Sequence, residues 1–413
     1  MTTENPAPLD RFTVNRLGHH GDGVVDGPFF APRTLPGEVI EARISDKYLT
    51  DIRIVEPSSD RVSPPCRHFR SCGGCQLQHA SDSFVASWKE DIVRSALAAN
   101  DLTADFLPIS ISPPRSRRRA TLAARRTKKG AMVGLHARAS DVIVAIPDCH
   151  LFHPDLMKAL PVAEALATAG ASRKHNLAVA TTLSGSGLDI AVSNGKPLDG
   201  PLRLELAALA DRHDLARLSW DDEVIVTRAP PEQVFGGVVV IPPSGAFLQA
   251  TREGEDALSA DVRRIVGGTH RVVDLFAGCG TFALALARDV SVHAVEGNAA
   301  MTAALDAGWR KASGLKAVTC ETRDLFRRPL LPDELDRFDA VVLDPPRAGA
   351  SAHIAEICAS SVPLIAYVSC NPVTFAKDAR QLVDHGYHLD GIRVVDQFRW
   401  SSHVEIVAAF RRT

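Results

Sequence analysis

From residue 241 to the C-terminus, short continuous apolar runs alternate with longer stretches of mixed polarity. Strands buried on both faces read as such runs, and the mixed stretches fit helices that cover a sheet. The pattern predicts strands at 271–276, 291–296, 317–322, 338–344, 364–369 and 403–410, most of them separated by helices. That order signals a parallel, doubly wound α/β domain. Residues 1–57 differ. Phe12, Val14 and Leu17 nearly alternate, glycines fall at Gly18, Gly21, Gly23 and Gly27, Pro36-Gly37 marks a turn, and 39–44 reads as another strand. Short strands with Gly/Pro turns predict a small β-barrel of the oligonucleotide-binding type. Residues 58–240 are mixed α+β. A helix is expected over 83–99, where Phe84, Trp88, Ile92 and Leu97 stand at near-helical spacing. The expected domains are therefore 1–57, 58–240 and 241–413.

The 413 residues are 45% hydrophobic and 23% charged, which excludes wholesale disorder. The net charge of −2 excludes a basic nucleic-acid coat, so any nucleic-acid contact must be a local patch. No apolar run approaches the roughly 18 residues that span a bilayer. The start, MTTENPAPLD, has neither a basic nor an apolar signal region. A cytoplasmic monomer without membrane contact is expected. Disulfides are rare in that compartment, so the eight cysteines call for metal, catalysis or core filling. One patch offers itself: Arg115, Arg117, Arg118, Arg119, Arg125, Arg126, Lys128 and Lys129 contain no acid among them. With no interleaved aromatic, the run is expected to hold phosphate backbone rather than read bases.

Residues 272–282, VVDLFAGCGTF, form an apolar strand, a Gly-rich turn and a helix start. Glycines there allow close approach of a ligand. The spacing is G-x-G, so the dinucleotide fingerprint is incomplete, and no P-loop lysine follows. Glu296 ends the next strand, where a carboxylate can take ribose hydroxyls. Asp324 ends the third and could meet an adenine edge. The set resembles the S-adenosylmethionine site of class I methyltransferases.

Two further strand ends carry chemistry. The fourth ends in Asp344-Pro345-Pro346-Arg347 and the fifth in Ser369-Cys370-Asn371-Pro372. Cys370 stands where a helix begins, a position expected to lower a thiol pKa. A thiolate suits uracil: addition at C6 gives C5 the carbanion character it needs to take a methyl group. A base must then remove the C5 proton. Glu405, on the last strand, is the candidate base, with His403 expected on the same strand face.

Cys66, Cys72 and Cys75 are compact, with Gly73-Gly74 between the last two, and Cys149 lies far downstream. Four thiolates suffice for a cubane iron–sulfur cluster or for zinc. The spacing is not the C-x3-C-x2-C of radical enzymes. Cys279, Cys320 and Cys358 read as small buried hydrophobes.

Together these motifs, with Phe247-Leu248-Gln249 and His403-Val404-Glu405, closely resemble the RNA 5-methyluridine (uracil-C5) methyltransferases along nearly the whole chain. The branch resembled is the iron–sulfur and TRAM-containing ribosomal RNA branch, since the barrel with Pro36-Gly37-Glu38 looks like a TRAM module. The resemblance implies a class I, Rossmann-like methyltransferase domain behind a TRAM barrel and a central iron–sulfur domain. It implies Cys370 as nucleophile and Glu405 as base. Gln249, Phe276, Thr281, Glu296, Asp324 and Asp344 would bind S-adenosylmethionine, and Cys66, Cys72, Cys75 and Cys149 a [4Fe-4S] cluster. It further implies that the helix after the cluster folds back onto the catalytic domain near 80–110. The expected partner is structured RNA with a flipped base, large-subunit (23S) ribosomal RNA first and tRNA as the alternative. A non-catalytic RNA-binding or ribosome assembly factor is the competing class. DNA cytosine-C5 methylation is disfavoured because no Cys follows the prolines after Asp344.

Overall fold

The computed structural model describes residues 9–412 except Pro28, Arg173 and Lys174; the first eight residues of the N-terminal reading lie outside them. Asp10–Thr13, Arg16–Leu17, Gly23–Val25, Phe29–Ala31, Val39–Ser45 and Tyr48–Glu56 form a six-stranded sheet around Val14, Val25, Ala31, Ile40, Ala42 and Leu49. Asp10–Thr13 pairs with Val39–Ser45, and Arg16–Leu17 pairs with Gly23–Val25. One bent segment thus joins both edges of the sheet, which closes it into a barrel. Glu38, fully buried, accepts from Leu35 N at 2.8 Å and from Arg61 Nη2 at 2.8 Å. Burial pushes its pKa up, but Arg61 and these backbone donors outweigh that and hold it below the usual value.

The central unit is a seven-stranded sheet from Arg119–Thr127 to Glu223–Thr227, antiparallel except where Gly187–Ser193 meets Arg217–Trp220. Helices Ala159–Gly170 and Gly200–Arg212 share its core with Leu122, Leu166 and Trp220. Trp400, from the C-terminal loop, is buried in the same core.

The C-terminal sheet has eight strands in the order Val318–Thr322, Ser291–Glu296, Arg271–Leu275, Ala340–Leu343, Leu364–Ser369, Glu405–Arg412, Tyr387–Asp396, Phe106–Ile111. The first five run parallel; Glu405–Arg412 runs antiparallel to both neighbours. Alternate residues sort to opposite faces: Val273, Leu275, Val341 and Leu343 join one core, Val272, Ala340 and Val342 the other. Strand order reverses at Arg271–Leu275, so a crevice opens at the carboxyl ends of that strand and Ala340–Leu343.

The stretch 58–240 is not one contiguous body. Helix Asp82–Ala98 and strand Phe106–Ile111 pack on the C-terminal sheet, and Val93, Leu97 and Leu102 enter its core. The hairpin Gln233–Phe235/Val238–Val240 joins the other face of that sheet. The strand Tyr387–Asp396 has no counterpart among the expected ones, because a bulge between Leu389 and Gly391 breaks its two-residue period. The last strand begins at Glu405, so His403 lies in the loop before it.

Candidate active site

At the crevice lies a cleft of about 870 Å³ lined by Cys370, Glu405, Gln249, Phe276, Thr281, Glu296, Asp324 and Asp344. All eight residues expected at the reaction and cofactor sites meet there. A second cleft of about 800 Å³ lies between the barrel, helix Asp82–Ala98 and the catalytic loops. The two clefts share Cys370, Arg347 and His403.

The Gly-rich turn sets the cofactor side. Phe276, Gly278 and Gly280 have φ of 64°, 58° and 95°. That is ordinary for glycine and strained for Phe276, whose ring is braced by Phe326 and His353 at 5.5 and 5.1 Å. A Cβ on Gly280 would stand 2.8 Å from Leu305 Cγ, so only glycine fits. Glu296 accepts from Gly278 N at 3.0 Å and Asn298 N at 2.8 Å, which fixes its carboxylate across the turn. A carboxylate has acceptor capacity to spare for ligand hydroxyls. Asp324 is exposed and accepts from Phe326 N at 3.1 Å. Cys279 is buried but also touches the cleft.

Asn371 caps helix Pro372–Asp384 through Val373 N at 3.1 Å and donates to Arg347 O at 3.0 Å, which places Cys370 at the helix entrance. The thiol is nevertheless not depressed. Burial pushes it up to about 11, with Glu405 and Asp344 adding and Arg347 opposing. The expectation of a low-pKa thiol is corrected: desolvation and two nearby carboxylates outweigh the helix end. Burial, then Asp344, likewise pushes Glu405 up to about 8, and burial lifts Asp344 to about 7. Burial, then Arg347, brings His403 down to about 4. The neutral ring accepts from Arg347 Nη2 at 2.9 Å.

The basic run divides. Arg118 is buried, paired with Glu255, and donates to Gln249 O at 3.1 Å. Arg119 lies 4.3 Å over the Phe247 ring, and Arg117 faces Phe398. Arg117 and Arg119 line the cleft and Arg118 braces Gln249 behind it, instead of forming a solvated phosphate patch; Arg115, Arg125, Lys128 and Lys129 are the exposed members. Sequence reasoning also missed Gln397 and the Trp400 insertion, whose partners are remote in the chain.

The four thiols of Cys66, Cys72, Cys75 and Cys149 face one another, and none is in a disulfide. Burial first, then Cys149, Cys72 and Cys66, push Cys75 up to about 12. Neighbouring thiols that disfavour each other's ionisation form a donor set that a cationic metal centre would relieve. Among the described residues, no group of three or more His, Cys, Asp or Glu is placed to hold a metal ion. The cysteine loop reaches the cleft: Gly73, Gly74 and Gln76 line it, and Gln76 N and Leu77 N donate to Trp400 O at 2.8 and 3.0 Å. No helix among the described residues is long and apolar enough to cross a membrane.

Residues 312–412 match the family described as tRNA (Uracil-5-)-methyltransferase. An uncharacterized RNA methyltransferase of Rhizobium meliloti is 44% identical over 97% of this chain and 99% of its own length. The 23S rRNA (uracil(1939)-C(5))-methyltransferase of Vibrio parahaemolyticus is 29% identical over 97% of this chain and 95% of its own. Among solved structures, the Pyrococcus abyssi tRNA (uracil-54, C5)-methyltransferase in complex with S-adenosyl-L-homocysteine shares the fold. Its TM-score is 0.78 at 22% identity, covering 97% of this chain and 99% of that one. With such relatives along almost its whole length, the chain belongs to the RNA methyltransferase family.

Proposed function

We propose that this protein methylates C5 of a specific uridine in large-subunit (23S) ribosomal RNA through a covalent bond between the Cys370 sulfur and uracil C6. The observation that carries the reading is the single cleft in which Cys370, Glu405 and Asp344 meet the Gly-rich turn. Bound S-adenosylmethionine supplies an electrophilic methyl group. The Cys370 thiol gives its proton to water and the thiolate adds to C6; the electron pair displaced onto C5 bonds to the methyl carbon as the methyl–sulfur bond breaks, its electrons leaving with the sulfur. Glu405 then takes the C5 proton. The C5–H electron pair restores the ring double bond and expels the Cys370 sulfur. Gln249, Phe276, Thr281, Glu296, Asp324 and Asp344 hold the cofactor, Glu296 at the ribose and Asp324 at the adenine edge. The target base must leave its stack to reach this depth. The second cleft, sharing Cys370 and running beneath the barrel, is the route for the flipped nucleotide and its neighbours. The barrel acts as a TRAM-type RNA-binding module.

The ribosomal substrate is supported by the Vibrio relative. Cys66, Cys72, Cys75 and Cys149 would hold a [4Fe-4S] cluster, a reading that rests on the sequence resemblance and on four thiols near enough to raise one another's pKa. The methylation moves no net electrons, so the cluster's place is structural, bracing the loop against Trp400.

The test is anaerobic methyl transfer to 23S rRNA and tRNA transcripts in parallel, with wild type, C370A and E405Q. Transfer to rRNA alone, lost in C370A, with a covalent enzyme–RNA adduct accumulating in E405Q, supports the reading. Transfer to tRNA alone overturns the substrate. Activity in C370A overturns the mechanism. Iron and sulfide assays separate a cluster from zinc.

A further inference from the structure

Gln397 is buried behind the cleft wall, between Gln249 and Glu405, and its hydrogen bonds admit one orientation. Ala250 N, which can only donate, lies 2.6 Å from Gln397 Oε1. Both Nε2 hydrogens are therefore free to donate. One goes to Gln249 Oε1 at 2.6 Å; the other is on the side of Glu405, which pairs with Val395 two residues before Gln397 and whose carboxylate form Gln397 favours. With its oxygen accepting from Gln397, the Gln249 amide has its NH₂ end free to donate to a ligand acceptor such as a carboxylate or hydroxyl oxygen. Gln397 is 2% exposed, and a Cβ on Gly254 would stand 2.7 Å from its own Cβ. The side chain has no room to swing away.

We infer that Gln397 is a positioning residue that ties the orientation of the Gln249 amide to the protonation of Glu405, so that the cofactor side and the base side of the cleft are set together. The inference rests on the reading of Glu405 as the base. Asp344 faces Glu405 and opposes its ionisation, while Arg347 and Arg119 favour it. Gln397 is the uncharged donor in that set. Its N–H stabilises the carboxylate form and leaves the charge balance alone.

Q397M keeps the length and removes both donors. Turnover against pH and against S-adenosylmethionine is the measurement, normalised to enzyme active in forming an adduct with 5-fluorouridine RNA. That adduct forms without proton removal from C5. The expected result is a rise of roughly tenfold in KM for the cofactor. With it, the acid limb of kcat moves to higher pH by about one unit. A merely structural role lowers the active fraction and moves neither. Q397E keeps the shape and the acceptor for Ala250 N, so it serves where Q397M folds poorly. Its added negative charge moves the limb further upward. Profiles and KM that superimpose on wild type in either folded variant overturn the inference. Adduct accumulation in E405Q tests the base reading separately: its absence removes that reading, whatever Gln397 does.

Discussion

Lys89 and Asp396 form a buried ion pair, Nζ to Oδ1 at 2.6 Å, that fastens the helix after the cysteine loop to the strand end preceding Gln397. Lys89 also donates to Phe398 O at 3.1 Å, and Asp396 accepts from Phe398 N at 3.0 Å. The loop that carries Phe398 and His403 to the cleft and Trp400 into the central core is thereby anchored at its start.

K89M should therefore cost about 3–5 kcal/mol, because it leaves Asp396 buried without its cation. Urea titration of K89M against the double variant K89M/D396L checks this. The double variant should regain much of the loss, since removing both charges ends the unpaired burial.

Glu405 should make the protein less stable as pH rises. Its folded pKa of about 8 lies above the unfolded value, so the native state keeps a proton that the unfolded chain releases. Stability from this group is complete below about pH 4 and is lost as pH climbs towards 8. E405Q escapes that loss. Its denaturation midpoint should match wild type near pH 4 and exceed it by roughly 1–4 kcal/mol equivalent at pH 8. Parallel pH curves for the two proteins would contradict this.

The halves of the basic run should respond oppositely. K128A/K129A removes exposed charge, so the slope of log affinity for RNA against log salt should flatten by roughly 0.7–0.9 per lost phosphate contact, with stability unchanged. R118M strips the buried Glu255 of its main partner. It should lower stability by about 3 kcal/mol, softened by Arg252 at 3.1 Å from the same carboxylate.

Oxidative loss of the proposed cluster, or C75S, should speed hydrogen exchange at the Gln76 and Leu77 amides and alter Trp400 fluorescence. Those amides hold the Trp400 carbonyl, and Trp400 shares its core with Cys72, Cys75 and Cys149. Unchanged protection after the metal is gone would separate the cysteine loop from the active-site loop.

Local pattern carried the parallel sheet into view because buried strands and Gly-rich turns are written in neighbouring residues. Motif resemblance carried Cys370 and Glu405, which pattern alone leaves as an ordinary thiol and an ordinary carboxylate. The fate of the arginine run was not legible: Arg118 meets Glu255 across 137 residues, and nothing in its own neighbourhood announces that partner. The thiol at Cys370 misled for a similar reason. Its helix end is local, whereas the burial and the carboxylates that overrule it come from distant segments. Gln397 gives no signal in sequence, since its meaning lies in Ala250, Gln249 and Glu405.

The outermost strand, Phe106–Ile111, has a consequence for how the protein is made. Its partner Tyr387–Asp396 emerges far later; Arg393 reaches back to Pro108 across 285 residues. At about 5–20 residues per second, a ribosome takes roughly 15–60 s to bridge that gap. Throughout that interval the nascent chain holds out an apolar segment with nothing to pair with, and the barrel and central sheet are complete long before the catalytic sheet can close. The methyltransferase half cannot be cut away at residue 241 without leaving a raw sheet edge, so the catalytic sheet is complete only with a strand from the first third of the chain.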